Sequence, residues 1–496
     1  MFDKIRRLGT DTAIYGISTI LGRFLNFLLV PFYTNILAPG QYGIVTYLYS
    51  LIAFVNVLYS YGMESAYFKY SSTLEIGSAK QNFSTPFVSL AATSLLFSLL
   101  LIPLAGTLSS TMSLPAGSEL IVAIVAGILA LDAIAIIPFA ALRMERKAST
   151  FATIKFINIL VNVVANILFL VVLRWDILGI FVSGLIASSV TVVMLLPVIR
   201  RNFTGTFHAG LWKHLLKFGL PFIPAGLATM VVQVVDRPIL RALTDDATVG
   251  IYQANYRLGI FMMLVVSMYD YAWRPFYFSI AKEPDAKQVF ARVLTYVVLL
   301  MSGIFLVLTF FIDDIVKIHF FGRSLIHPDY WSGLSIVPIV LLGYVFMGVS
   351  TNLSAGMYIE KKTGLLPVMA FAGAAINIVA NLLLIPVMGI DGAAWATFAA
   401  YFAMALILYI IVRRVYPVRY EMGRLAKIAV SAAAVYVLSV VWTPEGWEWA
   451  YKGGLLVLFC LLIYRMRFLE KSEIAGLRRL FARGRVPVPD AGEPRV

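Results

Sequence analysis

One cysteine in 496 residues, Cys460, rules out a disulfide within the chain, and its place in an apolar run makes it packing rather than a reactive thiol. Charge is almost as scarce: Asp, Glu, Lys and Arg together make up 13% of the sequence, against 60% hydrophobic residues and a mean hydropathy of +0.86. A chain so poor in charge would aggregate as a soluble domain, and its 34 Phe, 25 Tyr and 8 Trp exclude a disordered or collagen-like polymer. Nucleotide hydrolysis lacks its signature, because no glycine-rich loop ending in Gly-Lys-Ser or Gly-Lys-Thr occurs. The four histidines, His208, His214, His319 and His327, scatter over loops. The last two share one loop with Asp313, Asp314 and Asp329, but the spacing fits no metal template. Internal loops of at most about 20 residues hold no acid pair and no nucleophile with a base, which argues against an enzyme.

What the chain has is long apolar runs. Read between turn signals, they place fourteen membrane helices near 11–36, 42–62, 83–106, 118–142, 151–173, 177–199, 218–242, 250–271, 292–312, 332–355, 365–387, 390–412, 425–442 and 449–466, an all-α polytopic membrane protein. Of the 40 lysines and arginines, 31 fall at the two termini and on the even-numbered connections. Only Arg174, Lys317, Arg323 and Lys452 fall on the opposite side. Positive charge marks the cytoplasmic face, so both termini are expected in the cytoplasm. Lys4, Arg6 and Arg7 precede a first run too long for a signal peptide and without a small-residue cleavage site, so it stays as helix 1. Residues 467–496 read as a basic amphipathic segment on the cytoplasmic leaflet followed by a Pro-rich tail.

An internal repeat organises these helices. A shift of 215 lays Glu145-Arg146-Lys147 on Glu360-Lys361-Lys362, Asn162 and Asn166 on Asn377 and Asn381, and Asp176 on Asp391; a shift of 207 lays Pro31 on Pro238 and Gly43-Ile44 on Gly250-Ile251. The expected organisation is therefore two six-helix lobes, 1–200 and 210–415, with helices 13 and 14 over 425–466 appended. Six helices between copies is an even number, so the copies are parallel, related by an axis along the membrane normal. Two bundles rocking about one midplane site is a transporter layout.

Charge inside the bilayer is costly and normally faces a bundle interior or a wet cavity. Arg23 lies about 18 Å along helix 1, near the middle of a hydrocarbon core of about 30 Å. Thr12, Gly16, Thr19, Arg23 and Asn26 share one helix face. Similar stripes join Lys155, Asn158, Asn162 and Asn166 on helix 5, Gln233, Arg237 and Arg241 on helix 7, and Gln253 with Arg257 on helix 8. Deep acids are few: Asp132, with Asp236 and Asp270 nearer helix ends. A buried Arg23–Asp132 pair is the competing account, but the surplus of cations favours an anionic cargo. Arg23, Arg237 and Arg257 are the main candidates to meet its charge, with Lys155 and Arg241, near enough to span ends to snorkel, as further ones. Asn26, Asn158, Gln233 and Gln253 are the candidate polar lining. The paired asparagines at 162, 166, 377 and 381 read as interhelical packing.

Several segments carry a resemblance. Leu37-Ala-Pro-Gly-Gln-Tyr-Gly43, Lys217-Phe-Gly-Leu-Pro221, Val249-Gly-Ile-Tyr252, Glu360-Lys-Lys-Thr363, Asn377 through Asn381 with Ile385-Pro386, and Gly389-Ile-Asp-Gly-Ala-Ala394 resemble the bacterial polysaccharide transport family of the multidrug, oligosaccharidyl-lipid and polysaccharide exporter superfamily. The resemblance implies twelve helices in two lobes plus two more, a cation-lined cavity, and flipping of undecaprenyl-diphosphate-linked repeat units of O-antigen, capsule or exopolysaccharide across the cytoplasmic membrane. Two alternatives stay open: a multidrug exporter of the same superfamily, and a membrane enzyme of glycan assembly. A polysaccharide polymerase and a chain-length regulator are the expected protein partners, and a monomer the expected state. No cofactor is expected. A proton or sodium gradient is an optional drive, because moving an anion out of a negative-inside cell is already downhill by about 2.3 kcal/mol per charge per 100 mV. Asp236 is the preferred coupling carboxylate, ahead of Asp132 and Asp270.

Overall fold

The computed structural model describes residues 22, 27–320, 322–442, 444, 446–466 and 468. In chain order the helices are α1 Pro39–Ser60, α2 Met63–Thr73, α3 Ala79–Leu101, α4 Ala105–Thr111, α5 Glu119–Met144, α6 Ala148–Asn166 with a π-helical continuation over Ile167–Val172, α7 Asp176–Asn202, α8 Ala209–Gly219, α9 Phe222–Val234, α10 Asp236–Leu243, α11 Asp246–Leu258, α12 Ile260–Ile280, α13 Ala286–Val316, α14 Ile336–Ile359, α15 Leu366–Met388, α16 Ile390–Val415, α17 Met422–Val441 and α18 Glu448–Arg465. A two-stranded hairpin, His319–Phe320 against Arg323–Ser324, is the only β structure among the described residues.

Ten helical stretches are long and apolar enough to cross a membrane. They become twelve if the bent pairs α8–α9 (40°) and α11–α12 (45°) each count as one span. The fold is thus all-α and polytopic. Of the fourteen expected spans, the first lies largely outside the described residues. The fourteenth forms α18 but carries Glu448, Lys452 and Arg465 within 18 residues.

The bends have local causes. Pro221, with no N–H to give, separates α8 from α9, and Pro238 near the start of α10 ends α9 in the same way. Gly259 separates α11 from α12, its N–H turning back to the Tyr256 carbonyl at 3.1 Å. A Cβ there would stand 2.7 Å from Val340 Cγ1, so a larger residue would have to push α14's side chains aside.

The described residues fall into two compact units, one ending at Phe290 and resuming over Ile312–Val418, the other made of Ala291–Phe311 and the residues from Arg419. In the second unit, α18 and the middle of α13 enclose an apolar groove of about 460 Å³ lined by Leu300, Ile304, Val307, Phe459, Cys460 and Ile463; Cys460 is exposed there. Arg292 and Arg424 both pair with Glu421.

Within the first unit, the repeat recurs as geometry. Asn166 Nδ2 donates to the carbonyl and the side-chain oxygen of Asn162 at 2.8 and 3.1 Å, and Asn381 Nδ2 does the same to Asn377 at 2.8 and 3.0 Å. The asparagines expected to join helices thus bond along their own helices. One exception reaches across: Tyr33 Oη donates to Asn166 Oδ1 at 3.0 Å. We call the residues up to Asn202 the N-terminal half of this unit and those from Ala209 the C-terminal half. The end bearing residues 35–39, 112–113, 243–246 and 323–330 is the one poor in lysine and arginine, here its charge-poor end. The opposite, charge-rich end holds Glu145, Lys147 and Arg201 and a buried cluster around Tyr61, Met63, Tyr67, Phe83, Leu142, Leu211 and Leu215.

Candidate translocation site

α1 lies along α9, α10 and α11, so the seam between the halves runs past Tyr42, Thr46 and Tyr47 on one side and the expected arginines on the other. Arg237 is 4% exposed and held by several partners. Its Nη1 donates to Asp236 Oδ1 at 2.5 Å and to the Gln233 carbonyl at 2.7 Å, its Nε donates to Gln253 Oε1 at 3.1 Å, and its guanidinium lies 4.2 Å from the Tyr256 ring centre. Asp236, 2% exposed, accepts in addition from Tyr252 Oη at 2.5 Å and from Thr397 Oγ1 at 3.4 Å. A charge pair removed from water survives only when its polar groups find partners, and here α9, α11 and α16 each supply one.

Arg241 is clasped as well. Its Nη1 and Nη2 donate to the carbonyls of Met112 and Ser113 at 2.6 and 3.1 Å, across the seam, its Nε donates to Asp246 Oδ1 at 2.5 Å, and it stacks 4.2 Å over Tyr47. Arg257 differs from both. It is exposed at the end of α11, makes no hydrogen bond or ion pair among the described residues, and sits one turn before Phe261, whose ring meets Phe27 at 5.3 Å. It is also near enough to the Tyr42 hydroxyl to act on it electrostatically.

In the N-terminal half, Lys155 is exposed, with Nζ 4.3 Å over the Phe139 ring. Asp132 accepts from Ser188 Oγ at 2.7 Å and lies within electrostatic reach of Lys155. Asn158 Nδ2 donates to the Ala187 carbonyl and Thr191 Oγ1 at 3.0 and 2.9 Å, tying α6 to α7. Gln233 is exposed and Gln253 is buried beneath Arg237. Asp270 pairs with Arg274 one turn on, at 2.8 Å. Arg23 and Asn26 lie outside the described residues. The structure therefore gathers Gln233, Asp236, Arg237, Gln253 and Arg257 on α9–α11, while Asp132, Lys155 and Asn158 form a separate group and Asp270 a third. Sequence reasoning did not find Tyr252, Tyr256 and Thr397, which complete the Arg237 network. Tyr252 and Tyr256 immediately precede Gln253 and Arg257 on the same helix, a signal available in hindsight, whereas Thr397 arrives from 161 residues away.

Glycine brings the halves together at the charge-poor end. A Cβ on Gly43 would lie 1.7 Å from the Asp246 carbonyl oxygen, and one on Gly250 would lie 2.0 Å from that of Pro39. Asn35 Nδ2 donates to the Ser324 carbonyl at 2.9 Å, and Tyr330 Oη to that of Leu37 at 2.8 Å. Toward the charge-rich end, Val57 packs onto Gly226, and Trp212 Nε1 donates to Ser89 Oγ at 2.8 Å. The halves therefore touch at both ends of the seam.

A family model described as polysaccharide biosynthesis protein matches residues 8–281, more than half of the chain. Among solved structures, the chain is similar to the lipid II flippase MurJ in its inward closed conformation, with 16% identity, a TM-score of 0.70, and coverage of 91% of this chain and 99% of that one. It is also similar to an inward-facing multidrug resistance MATE transporter of the MOP superfamily, with 13% identity, a TM-score of 0.60, and coverage of 82% and 96%. The Vibrio cholerae MATE transporter VcmN in its bent form gives 13%, 0.55, 82% and 97%. No curated protein matches the sequence. On a fold shared with flippases and multidrug transporters, and on the match that spans its first half and beyond, the chain belongs to the polysaccharide biosynthesis protein family.

Proposed function

We propose that this protein is a flippase that carries undecaprenyl-diphosphate-linked oligosaccharide repeat units from the cytoplasmic to the outer leaflet of a bacterial cytoplasmic membrane, for O-antigen, capsule or exopolysaccharide assembly. Both termini are cytoplasmic in this reading, and the charge-poor end faces outward. The protein works as a non-enzymatic monomer by alternating access between lobes 1–200 and 210–415, supplying cargo to a polymerase and its chain-length regulator. The single observation that carries the reading is Arg257, an exposed guanidinium at the seam with no counter-charge among the described residues, in a chain of a polysaccharide biosynthesis family. A diphosphate offers oxygens that match the planar fork of arginine, and the polyprenyl chain stays in lipid. Lys155 is the second available cation, Arg23 the third, and Arg237 and Arg241 join only when their present partners let go.

The fold is shared with multidrug exporters, which supports a second reading as an exporter. A cationic drug has no use for a free arginine at the seam, so the two readings separate on one residue. In proteoliposomes with a lipid-linked oligosaccharide, Arg257→Gln lowers flipping at least tenfold without loss of folded protein, and Arg257→Lys retains part of it. Undiminished flipping by Arg257→Gln removes the assignment. Drug efflux with no flipping by the unmodified protein turns the reading to the exporter, and turnover of a glycosidic bond turns it to an enzyme.

A further inference from the structure

The contact between Gly43 and Gly250 has a symmetry that ordinary helix packing lacks. At the shift of 207 that aligns the two copies, Gly43 corresponds to Gly250 and Pro39 to Asp246. A Cβ on Gly43 meets the backbone of residue 246, a Cβ on Gly250 meets that of residue 39, and each also stands about 3 Å from the other glycine's backbone nitrogen. Each copy therefore offers the same two positions to the other, the self-complementary arrangement of a twofold interface built within one chain. The helix starts are capped between the same two positions with side-chain and backbone roles exchanged. Gln41 Oε1 accepts from the Ala38 N–H at 3.1 Å before α1, and Asp245 Oδ1 accepts from the Thr248 N–H at 2.7 Å before α11.

Backbone in contact with backbone has no side chain to yield, so a methyl group at either glycine must displace a helix end. Gly40, one residue into the same first turn, faces nothing within 4 Å. Arg241 bridges the seam beside this crossing, joining the carbonyls of Met112 and Ser113 to Asp246.

We propose that the Gly43–Gly250 crossing is the closing surface of a gate at the charge-poor end and that Arg241 is its latch, so that added bulk at either glycine, or loss of the latch, holds this end open. The proposal rests on the alternating-access reading but is tested without cargo. Thr46, 5% exposed on α1 one turn inward from Gly43, reports the gate. In a Cys460→Ser background carrying Thr46→Cys, a membrane-impermeant maleimide is applied to spheroplasts and to inverted vesicles. Gly43→Ala and Gly250→Ala each raise the labelling rate at least tenfold, from one side only, whereas Gly40→Ala leaves it unchanged; Arg241→Gln raises it severalfold. Unchanged labelling in inserted, monodisperse Gly43→Ala and Gly250→Ala overturns the gate, and so does an equal effect of Gly40→Ala. If the alanine variants fail to insert, Arg241→Gln, which forces no added bulk into the crossing, decides: no increase overturns the proposal. A flipping assay that fails in the unmodified protein would remove the cargo assignment and leave these labelling results standing.

Discussion

Arg237 and Arg257 stand on consecutive helices but have opposite circumstances, and the difference fixes what each can be asked to do. Arg237 is sealed against Asp236 with Gln233, Gln253 and Tyr256 around it. Removing one member of such a pair strands the other charge away from water, a cost of about 3–5 kcal/mol. Arg237→Ala should therefore lower the thermal unfolding temperature in detergent markedly, and the double change Asp236→Asn with Arg237→Gln should lower it less. At the charge-rich end, Glu145 shows how pH acts on this protein. Partial burial pushes its carboxyl up, but hydrogen bonds from Lys147, Asn202 and Arg201 outweigh this and hold it below the ordinary glutamate range. A carboxyl lowered in the folded state stabilises above its unfolded value, and that contribution is lost as pH falls through the folded one. Unfolding measured from neutral pH to below about pH 4 should show a loss at the acid end that Glu145→Gln removes.

At the scale of elements, the apolar runs made most spans legible, because a helix in lipid must bury its own backbone hydrogen bonds and so declares itself by length alone. The repeat was legible for a related reason: Asn162 with Asn166 and Asn377 with Asn381 are rare polar pairs in apolar surroundings. The breaks were not, since hydropathy runs unbroken through Leu220-Pro221 and past Gly259, and the bend at Gly259 depends on Val340 and Tyr344 of a helix 80 residues on. The partners of Arg241 were illegible for the same cause, being carbonyls at Met112 and Ser113 that any residue would have offered. Gly259→Ala tests the bend. The added methyl meets Val340 Cγ1 at 2.7 Å, so the variant should be less stable by about 1–3 kcal/mol, read as a lower unfolding temperature, while Gly303→Ala, in mid-helix with open space around it, should not lower it.

For the whole molecule, energy supply is the remaining variable. Asp236, the preferred coupling carboxylate, already has a guanidinium against it, so an external cation would have to displace Arg237 to reach it. Flipping in proteoliposomes should therefore proceed without an imposed sodium or proton gradient, with any gradient changing its rate less than tenfold; strict dependence on either ion would return Asp236 to a coupling role.

The shift of 207 that pairs Gly43 with Gly250 also sets Asp236, Arg237, Arg241 and Arg257 opposite Leu29, Val30, Thr34 and Ser50. Were the two copies identical, Asp236 and the three arginines would each stand twice about the axis, four added charges where the chain now has four apolar or hydroxylated side chains. Matched at the crossing, the halves differ in charge at these four places, so an anion carried between them, as proposed above, would meet an environment with a direction to it, which no symmetric dimer of either half would provide.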